Sequence, residues 1–159
     1  MIPAGGEVDA TIRIETPRQR DVTRLIETLD AYLMSLYPPH SNHLVEIDAL
    51  CSPEFRFFVA RRAGDAVACG ALRIDGAGFG EVKRMFVAVE ARGHRLGRAI
   101  LQRIEEQARY EGLAIMRLET GIHQAEALAL YRSAGYYECG PFGEYEADPS
   151  SLFMEKLLR

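Results

Sequence analysis

The densest chemistry in the sequence lies between Val82 and Leu101, which reads Val-Lys-Arg-Met-Phe-Val-Ala-Val-Glu-Ala-Arg-Gly-His-Arg-Leu-Gly-Arg-Ala-Ile-Leu. It opens as a strand, breaks at Gly93 and Gly97, and runs into an amphipathic helix. A glycine-rich turn between strand and helix leaves backbone N–H groups unpaired, and the helix macrodipole reinforces them as an anion cradle. Lys83, Arg84, Arg92, Arg95 and Arg98 crowd this segment, although the chain as a whole carries a net charge of −4. The pattern points to a phosphorylated ligand. No Gly-x-x-x-x-Gly-Lys-Ser/Thr run is present, and Gly93 and Gly97 do not fit a Gly-x-Gly-x-x-Gly dinucleotide fingerprint.

The run Arg92-Gly93-His94-Arg95-Leu96-Gly97 resembles Arg/Gln-x-x-Gly-x-Gly/Ala, the pyrophosphate loop of the GNAT acetyltransferases, which bind acetyl-CoA. Arg95 stands where that family usually has its first glycine, and an Arg there could contact a phosphate through its side chain. A second stretch, Gln124 to Tyr136, resembles the family's Asn-x-x-Ala-x-x-Leu-Tyr-x-x-x-Gly-Phe, with Gln124 in place of Asn. The resemblance implies an N-acetyltransferase whose Tyr131 hydroxyl lies near the CoA sulfur and acts as general acid. It also implies contacts to acetyl-CoA from Met85, Phe86, Val87, Arg92, Gly93, His94, Arg95, Leu96, Gly97, Arg98 and Gln124.

Acetyl transfer to an amine needs a proton acceptor, donors for the developing oxyanion and an acid for the departing thiolate. Glu81, on the strand before the loop, matches a position where several GNAT enzymes carry a base; a solvated Glu paired with Lys83 is the simpler alternative. The backbone of Met85 to Val87 would serve pantetheine and the thioester oxygen. An acceptor site roofed by residues 37–45 and 140–150 would involve Tyr37, Ser41, Asn42, His43 and Tyr145, although solvated turn residues and a mobile acidic loop would also explain these. His40, His43, His94 and His123 do not fall at metal-ligand spacing with a carboxylate, so no metal is expected. Cys139 has no base partner in sequence and is not expected to carry an acyl group.

These residues need a scaffold. Thr11 to Glu15 alternates as a first strand, and Thr16-Pro17-Arg18-Gln19 offers a capping box for a helix running to Tyr37, before Pro38-Pro39. A short helix within 44–50 precedes a hairpin of Phe55–Arg61 and Val67–Ile74, then the strand Glu81–Val87. The next helix carries Leu96, Ile100, Ile104 and Ala108 inward and Gln102, Arg103, Glu105, Glu106 and Arg109 outward, ending at Gly112. A strand over 115–120, a helix over 124–134, and strands over 136–139 and 151–158 complete the order. This order predicts an α/β fold, a mixed sheet with helices on its faces; the resemblance implies a GNAT-like, mostly antiparallel sheet with a splayed central strand pair and helices on both faces.

Length and composition bound the rest. A flexible leader over 1–10 and one domain over 11–159 are expected, long enough to bury a core. Mild acidity argues against a general nucleic-acid or membrane binder, and three scattered cysteines read as reduced thiols of a cytoplasmic protein. The favoured function is direct acetyl transfer to a small amine or amino acid. The alternatives are a protein N-terminal or lysine acetyltransferase and a non-catalytic acyl-CoA sensor, and a homodimer is left open.

Overall fold

A two-residue turn at Ala63-Gly64, with both φ angles positive, folds the centre of the chain back on itself. That geometry matches the twist of flanking strands, so β2 (Phe55–Arg62) and β3 (Asp65–Ile74) pair directly up to Arg62↔Asp65. The hairpin is therefore longer than the sequence pattern predicts. The computed structural model describes residues 10–41 and 45–159, so the expectations for the leader, Asn42 and His43 fall mostly or wholly outside the described residues.

Around the hairpin, β1 (Thr11–Ile14), β4 (Gly80–Val87), β5 (Ile115–Gly121), β6 (Tyr137–Cys139) and β7 (Ser151–Leu157) complete a seven-stranded sheet in the order β1-β2-β3-β4-β5-β7-β6. Every neighbouring pair is antiparallel except β4 and β5. Consecutive residues Phe57 to Ala60 and Val67 to Leu72 are buried, so both faces of β2 and β3 are covered. The cover comes from α1 (Arg20–Leu36), which packs on β3 and β4, and α3 (Leu96–Tyr110), which packs on β2, β3 and β4. A one-turn α2 (Ile47–Leu50) abuts β2, and α4 (Ala125–Ser133) follows β5. This is the mixed α/β sheet expected from the sequence.

The strand pair β4–β5 is joined only through Gly80↔Met116, Glu81↔Arg117 and Val82↔Leu118, after which the two strands part. At that point β4 bulges: Arg84 and Met85 together face the single residue Gly70, between the pairs Ala71↔Lys83 and Cys69↔Phe86. Arg84 takes a left-handed φ of 56° to do so, and its buried guanidinium is tied to Asp30 of α1. Gly70 is required opposite the bulge, because a Cβ there would lie 2.5 Å from Met85 Sδ.

Two local readings are corrected. The capping box does not cap α1, which begins at Arg20 with Gln19 as its N-cap and no side-chain cap bond. Instead the Thr16 hydroxyl accepts from the Arg18 N–H and the Gln19 amide donates to the Thr16 carbonyl, so those groups close a turn before the helix. Glu105 is not outward either. It is buried, accepting from the Tyr136 hydroxyl at 2.9 Å and from Lys156 at 2.8 Å. Removing it strands two donors, so Glu105→Ala is expected to cost about 2–3 kcal/mol in urea unfolding, against within about 0.5 kcal/mol for exposed Glu106→Ala. Equal losses for the two would contradict the buried network.

Candidate active site

The strand–turn–helix cradle forms as the spacing dictates. Gly93 has φ 85°, and Arg95 is the N-cap of α3 with φ 60°, a left-handed conformation that glycine adopts without cost. The residue that departs from the family motif therefore still has the backbone conformation glycine would favour. No side chain caps α3, which leaves its first-turn N–H groups available to an anion. Gly97 permits close packing on α4, since a Cβ there would sit 3.3 Å from Leu130 Cδ2. Flanking cations are pre-positioned: Arg92 Nε donates to the Val87 carbonyl and its guanidinium lies over the Phe86 ring, while Arg98 donates to Ser133.

Three cavities meet where β4 and β5 part. A helix-side cavity of about 570 Å³ is lined by Met85 to Val87, Arg92, Gly93, Arg95 to Arg98, and the start of α4 including His123 and Gln124. An inner cavity of about 90 Å³ shares Leu29, Met85, Gln124 and Tyr131 with it and adds Lys83, Glu119, Thr120 and Gly121. A loop-side cavity of about 1080 Å³ meets the inner one at Lys83 and is lined by Glu81, Arg73, Phe79 and the 142–149 loop. Tyr131 is 6 % exposed, and among the described residues its hydroxyl has no hydrogen-bond partner. Burial pushes that phenol up, so it stays protonated across the physiological range.

The comparisons with known proteins agree with this geometry. Residues 22–136 match the model of the acetyltransferase (GNAT) family. The chain is 54 % identical to the IAA acetyltransferase of Azospirillum brasilense, over 94 % of this chain and 99 % of that one. Among solved structures, one assigned as an acyl-CoA N-acyltransferase from Klebsiella pneumoniae superposes with a TM-score of 0.81 at 35 % identity, covering 96 % of this chain and all of the other. The PaiA N-acetyltransferase of Thermoplasma acidophilum, solved with coenzyme A, shares the fold at a TM-score of 0.69 and 19 % identity, over 92 % and 99 % of the two chains. This chain belongs to the GNAT acetyltransferase family. It is an acyltransferase that uses acetyl-CoA as cosubstrate.

The GNAT assignment gives the helix-side cavity its meaning, and its residues fit CoA. The α3 N-terminus and its arginines suit a pyrophosphate, and the free edges of β4 and β5 suit an amide-bearing pantetheine arm. His94, exposed in the loop, is absent from the lining of that cavity. Gln124 is the N-cap of α4, and its Oε1 accepts from the Gly121 N–H at 3.0 Å, which holds the turn between β5 and α4.

Glu81 and Tyr131 do not share a cavity. Glu81 is 2 % exposed and not solvated. Arg73 lies 3.4 Å from one oxygen; Lys83, at 3.3 Å, and the donating Tyr145 hydroxyl engage the other. Tyr145 is accordingly not on a mobile surface loop but clamped onto β4, where burial and the Glu81 charge push its phenol up. Ser41 is also buried, donating to Asp148 at 2.8 Å, and Tyr37 packs beneath His123. No group of three or more His, Cys, Asp or Glu among the described residues could hold a metal.

Sequence reasoning missed Glu119. It lies at the carboxyl end of β5, lines the inner cavity with Tyr131 and accepts from Ser151 Oγ at 3.2 Å. Burial raises its pKa to about 7; Ser151 and Lys83 oppose the rise, and Glu81 and Asp148 add to it. An acidic residue at the carboxyl end of a strand bordering the gap was the available signal.

If the α3 cradle holds the pyrophosphate, Gly97→Glu places a side chain and a negative charge within it. CoA affinity measured by calorimetry should fall by at least about 100-fold, roughly 2.7 kcal/mol, in a folded variant. Unchanged affinity would remove the cradle from the CoA site.

Proposed function

We propose that this GNAT enzyme transfers the acetyl group to the amine of a small molecule or amino acid by direct attack in a ternary complex, with Glu119 as proton acceptor and Tyr131 as proton donor. The observation that carries this reading is their placement on one small cavity between the parted strands, joined to a cavity that fits CoA. The amine nitrogen bonds to the thioester carbonyl carbon, the C–S bond breaks, the ammonium proton passes to Glu119, and the Tyr131 proton goes to the thiolate sulfur. A carboxylate with pKa near 7 is matched to accepting a proton at neutral pH, and a neutral phenol can protonate a thiolate. Glu81, already engaged by three donors, is assigned to holding Lys83 and Tyr145 in the loop-side wall.

A small acceptor is supported by the loop-side cavity, which is large enough for a metabolite-sized ligand and is bounded by a loop fastened through Tyr145 and Asp148. The 54 % identical relative is named for IAA, so IAA belongs in the acceptor panel beside amino acids and simple amines.

The roles separate by pH. In the parent, kcat/KM should rise with pH through about 7 as Glu119 ionises. Glu119→Gln should lose about 100-fold or more at neutral pH together with that inflection, whereas Glu81→Gln should keep it. Retention of the inflection in Glu119→Gln, with its loss in Glu81→Gln, would return the base role to Glu81. A thermodynamic signature accompanies this: a carboxyl whose folded pKa is raised favours the fold when protonated, so its contribution is lost as pH rises from about 4.5 through about 7. Glu119→Gln should therefore melt at a higher temperature than the parent at pH 8, with the gap closing toward pH 4.5.

Tyr131→Phe keeps the ring and its packing on Tyr136. Stability and CoA affinity should change by no more than about 1 kcal/mol while kcat falls by about 100-fold. Turnover at the parental rate would mean that water protonates the sulfur.

A further inference from the structure

Leu29, Leu33 and Tyr37 recur at four-residue spacing along α1 and its C-cap, and all three line the inner cavity. They form its apolar wall. The polar groups Lys83, Glu119 and Thr120 lie on the strands that bound the same space. Tyr37 is fixed as the end of this wall. Its hydroxyl accepts from the His123 N–H at 3.1 Å, its ring stacks on His123, and it rests so closely on Gly121 that a Cβ there would fall 1.7 Å from the hydroxyl. Leu33, half-buried and packed against the main core, is the middle of the wall.

Resting on the proposed reaction between Glu119 and Tyr131, which seats the acyl group in the inner cavity, we propose that the Leu29–Leu33–Tyr37 stripe limits the acyl chain to two or three carbons, with Leu33 as the deciding residue. An apolar methyl belongs against the apolar wall, since the amine must arrive from the side carrying Glu119. A cavity of about 150 Å³ holds a benzene, so one of about 90 Å³ has room for roughly three or four heavy atoms. An acetyl group supplies three beyond the sulfur, and the attacking nitrogen needs the remaining space. A propionyl group, with four heavy atoms beyond the sulfur, just fits that space, whereas a butyryl group, with five, exceeds it by one methylene, worth about 10-fold or more against the apolar wall.

The test needs no knowledge of the acceptor. Calorimetry on the full chain with acetyl-, propionyl-, butyryl- and hexanoyl-CoA should give affinities for butyryl-CoA and hexanoyl-CoA at least about 10-fold below that for acetyl-CoA, with propionyl-CoA between. Leu33→Ala removes three carbons from the wall and should bring butyryl-CoA to within about 3-fold of acetyl-CoA when both are measured on that variant. Leu33→Val, a smaller excavation, should give an intermediate ratio and guards against misfolding of the first variant. Equal affinities across the donor series in the parent, or a ratio unmoved in a folded Leu33→Ala protein, would overturn the proposal. If the series discriminates as expected but no amine in the panel is acetylated, the catalytic reading fails and the acyl limit stands.

Discussion

The structure depends on the early separation of β4 from β5. Each strand is secured on its outer side, β4 by β3 and β5 by β7, but the two touch for only three residue pairs. Past Val82 and Leu118 the backbone groups facing the gap have no strand partner across it. Polar backbone edges in the middle of a sheet are costly unless something hydrogen-bonds them, so an amide-bearing ligand is the natural complement. The Arg84 bulge fixes where the separation starts, and its ion pair with Asp30 ties that point to the helix that walls the inner cavity. All three cavities adjoin the point where this one short strand pairing ends.

Two buried glutamates, Glu81 and Glu105, and the half-buried Glu119 show how partners set what a carboxylate can do. Glu105 has Lys156 and the Tyr136 hydroxyl, and Glu81 has Arg73, Lys83 and Tyr145. Those two are fully engaged. Among the described residues Glu119 has only the Ser151 hydroxyl as a hydrogen-bond partner, with Lys83 acting from a distance and two further carboxylates nearby, so desolvation prevails and its pKa rises. The residue least satisfied as a structural ion is the one best suited to taking a proton.

That contrast also explains what the sequence could reveal. The glycine loop and the α4 tyrosine were legible because each needs particular residue types at fixed local spacing: positive φ at Gly93, close packing at Gly97, and one helical face for Tyr131. The strands and their succession along the chain followed from alternation and turn chemistry, and the parted pair from the family resemblance. Glu119, Glu105 and Tyr145 were not legible in this way. On its own strand Glu119 looks like the solvent half of an alternating pattern, and its hydrogen-bond partner Ser151 comes from β7, 32 positions along the chain. Glu105 occupies the polar side of α3 by periodicity, yet Tyr136 and Lys156 from the far end of the chain cover it. Tyr145 meets Glu81 across 64 positions, and no local pattern encodes that contact. The capping-box error is the converse case, a local motif present whose groups a tight turn uses first.

The Glu105 network also bears on Tyr131. Helix α4 has only nine residues, and little of its surface is buried besides Leu128 and Tyr131. A hydroxyl held without a protein partner would tend to rotate toward one, unless its ring were fixed from behind. The Tyr136 ring packs edge-on against Tyr131, the Tyr136 N–H donates to the Tyr131 carbonyl, and the Tyr136 hydroxyl is anchored in turn by Glu105, which Lys156 holds. A buried ion pair contributes little net stability, because desolvation consumes most of its attraction, but its directional bonds restrict the groups it touches. Here it joins α3 and β7 behind the one side chain whose orientation the proposed reaction requires.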